Sequence, residues 1–209
     1  LAMEAAHAGS PEAPVGELAY HFYRAAPLGE AARALEYAER AGRQAIALLG
    51  YEEAARHFET ALQAASFLPR DASTRLRLLL ARGDAAWRSG DHLNARETFA
   101  LAARTATTLG AATELAQAAL GIGRASTETG AVDPTVTAVL GQALAALGEE
   151  DSSLRAMVLA RLSMALYFSG DEARRDAMSL EAVAVARLVG DAAALGAALI
   201  NRHFVLWGP

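Results

Sequence analysis

The sequence predicts an all-α fold, an α-solenoid of helix pairs with a period near 40 residues, on four observations. Hydrophobic residues make up 53% of the 209-residue chain and aromatics only 6%, because much of the apolar content is alanine, the strongest helix former. Runs rich in Val, Ile and Thr, from which strands are built, are few. The stretches between Gly and Pro are long and carry their apolar residues at helical spacing. Turn residues also recur at a fixed interval. Gly90, Gly130 and Gly170 lie forty residues apart, each after a hydroxyl residue, Ser89, Thr129 or Ser169. Three residues before them stand Trp87, Thr127 and Tyr167, with Trp207 forty further on. Gly110 and Gly190, eighty apart, mark the other turn of the unit.

Residues 1–15 read as a flexible or partly ordered lead-in to a single repeat domain over 16–209. Helices are expected over 16–25, 30–49, 51–67, 71–89, 91–109, 111–129, 133–147, 151–169, 171–189 and 191–206. Asp71, Asp91, Asp133, Asp151, Asp171 and Asp191 fall at or near helix starts, where a carboxylate caps free N–H groups and meets the positive end of the helix dipole. Ala54, Phe58 and Ala61 put small, large and small side chains on one helical face, and Ala95, Phe99 and Ala102 repeat the arrangement. A small residue on either side of a ring lets a neighbouring helix come close while the ring fills the gap. In the GIGRAS stretch, Gly121 and Gly123 lie within a helical pattern with no strand before them, so they are expected to be close-packing positions.

Composition excludes several kinds of chemistry. With no cysteine there are no disulfides and no thiolate metal sites, which fits a reducing cytoplasm. All 19 basic residues are arginine, so a phosphate-binding loop lacks its lysine. The net charge is −5 and the arginines are scattered among acids, leaving no basic stripe for nucleic acid. No apolar run approaches the roughly 20 residues that span a bilayer. His7, His21, His57, His92 and His203 are not spaced as metal ligands, and no nucleophile motif is present. The expectation is a non-enzyme with no cofactor and no metal.

Gly83, Ala86, Gly90, Asp91, Ala95, Phe99 and Ala102 match the tetratricopeptide repeat pattern, and Gly42, Ala45, Tyr51, Ala54, Phe58 and Ala61 match it again. A third unit carries Val136, Leu140 and Ala143, and a fourth, without the large aromatic of its second helix, carries Met178, Ala182, Val185 and Val189. The stretches ELAYHFYRAAP, GDEARRDAMSLEAVAVARLVGD and NRHFVLWGP resemble the helical-repeat region of large ATP-binding regulators of the LuxR family and of cyclases that share their ATPase module. The resemblance implies a right-handed solenoid and a fragment of a longer chain. An ATPase module would precede residue 1, and more repeats, with or without an effector domain, would follow residue 209. Leu1 without initiator context and an end inside a helix pair agree with that expectation.

In tetratricopeptide arrays the first helix of each unit lines the concave face. By position this assigns Arg77, Leu80, Asp84, Trp87 and Arg88, then Gln117, Leu120, Arg124, Thr127 and Glu128, then Met157, Ala160, Met164, Tyr167 and Phe168. Trp87, Thr127, Tyr167 and Trp207 would form a ladder that either lines a groove or packs between first helices. Tyr, Trp and Arg dominate binding hot spots, and Met makes an adaptable lining. The expected function is a non-catalytic sensor or scaffold arm of a cytoplasmic regulator, whose groove takes a protein, a peptide or a small-molecule inducer. The alternatives are a constitutive scaffold that binds other proteins or a second copy of itself, and a compact all-α enzyme.

Overall fold

The computed structural model describes residues 15–126 and 130–207. The described residues form ten α-helices and no strand: α1 (Val15–Arg24), α2 (Ala31–Ala47), α3 (Tyr51–Ala65), α4 (Ala72–Arg88), α5 (His92–Leu109), α6 (Ala112–Ala125), α7 (Pro134–Leu147), α8 (Ser153–Ala165), α9 (Glu172–Val189) and α10 (Ala192–Trp207). A short 3-10 turn, Ala26–Leu28, follows α1. Each matches an expected helix within a few residues; of the expected lead-in over 1–15, residues 1–14 lie outside the described residues, and Val15 is instead the buried first residue of α1. None of these helices is long and apolar enough to cross a membrane.

The helix starts follow the expected chemistry, with one correction. Asp71, Asp91, Asp133, Asp171 and Asp191 each accept backbone N–H groups two or three residues on. Asp151 does not have this role. Because α8 begins at Ser153, Ser152 is its cap and its hydroxyl accepts from the Arg155 N–H at 3.1 Å. At the helix ends, Gly90 and Gly170 take φ of 88° and 77°, a left-handed conformation that only glycine adopts without strain. The turn after α2 departs from this rule: Leu49 carries the positive φ, 61°, and Gly50 does not.

The chain divides into two compact units, residues 1–98 and 99–209, with the division inside α5. In the first unit α2 packs on α1 and α3, and α3 packs on α4. Its core is alanine set around rings: Phe22 and Tyr37 stack with centroids 5.2 Å apart, and Phe58 lies buried between Ala54 and Ala61. A Cβ at Gly42 would stand 2.8 Å from the Phe58 ring, so the glycine is what lets α2 and α3 close on it. Burying such a ring contributes about 2–3 kcal/mol.

In the second unit α6 packs on α7 and α8, α8 on α9, and α10 on both α8 and α9. In this unit α6 and α8 thus each touch their own partner and the next first helix, the order of an α-solenoid. Phe99 is buried with Ala95 and Ala102 beside it in sequence, and a Cβ at Gly121 would stand 2.6 Å from its ring. Gly123 is equally tight, with the Arg161 Nε 2.8 Å from the place of a Cβ. Both glycines of GIGRAS are therefore close-packing positions. In the third pair Val136, Leu140 and Ala143 are buried as expected. In the fourth, the buried face of α9 runs through Ala182, Val183, Val185 and Ala186, while Val189 is 39% exposed. Val189 is the last residue before the Gly190 cap, past the end of the packed face.

Candidate binding site

In the first unit the expected groove charges are already engaged with one another. Arg77 on α4 pairs with Glu39 on α2 at 2.5 Å, which ties two neighbouring first helices. Arg88 Nε donates to Asp84 at 2.8 Å, and its guanidinium lies 5.5 Å from the centroid of the Tyr51 ring. Hydrogen bonding with Tyr51, and then the charge of Asp84, hold the Arg88 pKa above its ordinary value. Trp87 is half-buried in the last turn of α4. A polar cavity of about 590 Å³ opens between α3, α4 and the start of α5, lined by Arg56, Glu59, Arg82 and Asp91. Arg82 pairs with Glu59 at 2.9 Å and donates to Thr98 Oγ1 at 2.5 Å.

The second unit differs. A cavity of about 460 Å³ is lined by Arg161 and Met164 of α8, Tyr167 and Phe168 just beyond it, Phe204 of α10, and Asp133 at the start of α7. It brings together three of the expected groove residues, Met164, Tyr167 and Phe168. Arg124 sits exposed on α6 next to Gly123 and near enough to Arg161 for its charge to be felt there. Thr127 and Glu128 lie outside the described residues.

Tyr167 and Phe168 were expected on the helix, over 151–169, and are not. α8 stops at Ala165, and the next residues form a tight turn in which the Tyr167 N–H donates to the Met164 carbonyl at 3.1 Å. The turn exposes the Tyr167 carbonyl to Arg175 of α9, whose Nη1 donates to it at 2.6 Å. The Arg175 guanidinium also lies 5.0 Å from the Tyr167 ring centroid, and the Tyr167 and Phe168 rings meet edge to face at 4.9 Å. An arginine brought from the facing helix thus fixes the turn and the ring. Phe168 and Phe204 remain about half exposed, at 50% and 47%.

Arg161 is the residue that the spacing of groove positions missed. It is half-buried against the α6 backbone, where the bare Gly123 makes room for it, and its Nη2 donates to the Gly123 carbonyl. Its Nε is buried without a hydrogen-bond partner. Burial, and secondarily the charge of Arg124, hold its pKa below the ordinary arginine value. Gly123 was a visible hint of a close approach in the sequence, but nothing local says which side chain approaches. Trp207, the last member of the expected ladder, is 75% exposed at the end of α10, 5.1 Å from the His203 ring.

No family model matches the chain, and no curated protein does either. Among solved structures it is similar to BtubC (BKLC) from P. vanneervenii, with a TM-score of 0.68 at 18% sequence identity, over 98% of this chain and 83% of that one. At that identity the likeness is one of fold.

Proposed function

We propose that the chain is a non-catalytic binding arm of a cytoplasmic bacterial signalling or transcriptional regulator, of the kind the LuxR-like resemblance implies. A protein, peptide or small inducer seats on its first helices and on the turns after them, and the change in the arm biases an ATPase module elsewhere in the parent chain. The supporting observation is where the large side chains lie. In a molecule cored mainly by alanine, Met164, Tyr167, Phe168 and Phe204 gather around a surface cavity instead of filling the interior. Rings offer apolar contact at little cost in rotamer freedom, and nearby arginines orient what binds.

The test uses a partner recovered from cell extract and then purified, so that affinity can be measured. Trp87→Ala and Tyr167→Ala should each weaken binding by about 2 kcal/mol or more, with folding checked by circular dichroism. Arg104→Ala and Arg187→Ala, exposed on the second helices α5 and α9, should leave affinity unchanged. The reverse pattern would place the surface on the wrong helices. A constitutive scaffold is favoured by a different observation: Leu199, Ile200, Leu206 and Trp207 leave one side of α10 apolar and exposed. Light scattering that shows concentration-dependent association, abolished by Ile200→Arg, would support that reading.

A further inference from the structure

We propose that the Arg161 cavity of the second unit is a binding site for a carboxylate that carries an apolar, aromatic-sized body. The proposal rests on the binding-arm reading and supplies its ligand chemistry. Three features of the cavity carry it.

The first is charge. Among the described residues, the one hydrogen bond Arg161 makes is to the neutral Gly123 carbonyl, so a half-buried cation is held at the cavity wall without an ion pair. Taking a guanidinium out of water is costly unless an anion replaces the lost solvation. Its lowered pKa is the electrostatic mark of that situation. Asp133, the acid among the described lining residues, has its Oδ1 engaged by the helix start, where it accepts the Thr135 and Val136 N–H groups at 2.8 and 3.2 Å.

The second is surface. Phe168, Phe204 and Met164 line the cavity together with Arg161, and both rings stay about half exposed. Ring faces and a thioether accept an aromatic or branched aliphatic body, and a wholly hydrophilic anion such as phosphate would gain nothing from them. The third is size. At about 460 Å³ the cavity falls within the range of small-ligand sites and leaves room for a single ring and its side arm. The geometry is also held in place. Gly123 seats the arginine, and Arg175 clamps the Tyr167 carbonyl, so both walls exist before the ligand arrives.

The test uses the full 209-residue chain with 3-phenylpropanoate as the probe, and 3-phenylpropanamide and acetate as controls. Methionine-methyl NMR locates the binding, because Met164 lines the cavity and Met157 and Met178 do not. The expected result is saturable binding at millimolar concentration or better, with the Met164 methyl shifted. The amide should bind about tenfold more weakly, because it loses a charge-assisted hydrogen bond, and acetate should not saturate. Arg161→Met should lower affinity about tenfold while leaving the fold intact. Should that variant fail to fold, the comparison of acid with amide on the native chain still decides the matter. Equal binding of acid and amide would overturn the proposal, as would an unmoved Met164 methyl or no saturation by any aryl or alkyl acid. A peptide ending in phenylalanine, with free or amidated C-terminus, separates two sources of the same chemistry. Tight binding of the free-ended peptide assigns the carboxylate to a chain terminus, and binding of the small acid alone assigns it to a metabolite-sized ligand. A failure here leaves the response of partner binding to Trp87→Ala untouched, so it is distinguishable from failure of the binding-arm reading.

Discussion

The two units share a repeat and spend their large side chains differently. In the first, Phe22, Tyr37 and Phe58 are inside, and Arg77, Arg82 and Arg88 are paired with Glu39, Glu59 and Asp84. In the second, the pair α8 and α9 has no buried ring. Its interior is alanine, valine and leucine with Ser163, Ser179 and Arg175 among them, and Tyr167, Phe168 and Phe204 have moved outward to a cavity. Among the described residues Arg155, Arg161 and Arg175, all in the second unit, each keep a buried Nε without a hydrogen-bond partner, although Arg155 pairs with Glu181 through Nη2. A repeat that fills its core with rings and pairs its charges has little left to offer a ligand. One that leaves rings and cations incompletely satisfied has free energy to gain on binding.

The largest effect expected from this contrast is on the first unit's core. Phe58→Ala should cost about 3–5 kcal/mol, since the ring fills the space between Gly42, Ala54 and Ala61. Amide hydrogen exchange should show the loss of protection concentrated before residue 99; an equal loss throughout the chain would mean that the two units do not behave separately.

Smaller effects sharpen the comparison of polar groups. Arg175→Met removes the donor to the Tyr167 carbonyl and should cost about 1–3 kcal/mol, whereas Arg88→Ala, which breaks the solvent-exposed pair with Asp84, should cost under about 1 kcal/mol. Urea denaturation measures both. Similar costs would remove the distinction between buried and solvent-exposed arginine contacts. Leu49→Gly should then stabilise the first unit by about 0.5–1 kcal/mol, because a leucine pays a steric penalty in the left-handed region and glycine does not. An unchanged or lower melting temperature would show that the Leu49 side chain contributes more than its backbone costs.

The smallest effect is acid sensitivity. The Ser73 hydroxyl first, and then that of Thr74, hold the Asp71 carboxyl well below its usual range. The Asn94 amide does the same for Asp91, and the Ser153 hydroxyl for Asp191. A depressed carboxylate pKa gives stability that is complete above the unfolded value, about 3.9, and lost as pH falls through the folded value. His57 acts in the same direction at higher pH: burial lowers its pKa below 6.5, so protonation on acidification opposes folding. Of these groups Asp71, Asp91 and His57 lie in the first unit and Asp191 in the second, so melting on acidification should begin in the first. Asp71→Asn should flatten the acid limb; an unchanged limb would show that this cap is not what acid attacks.

By itself the sequence determined the helices, their order and, Asp151 apart, the aspartate caps, because those depend on neighbours within a few residues. Alanine content, 3.6-residue periodicity, a carboxylate two or three residues before free N–H groups, and glycine at φ of 88° or 77° are all local. It also marked Gly121 and Gly123 as positions for a close approach, and placed Met164, Tyr167 and Phe168 at expected groove positions, which the structure gathers around one cavity. Only the tertiary structure decided what approaches. The Arg161 bond to the Gly123 carbonyl joins residues 38 apart, and the Arg77 pair with Glu39 joins two first helices. The early end of α8 belongs to the same class. Helix propensity would carry α8 through Tyr167 and Phe168, but an arginine from α9 reaches the Tyr167 carbonyl and holds the turn. Such contacts form when helices pack face to face, and no window of sequence a few residues wide contains both of their ends.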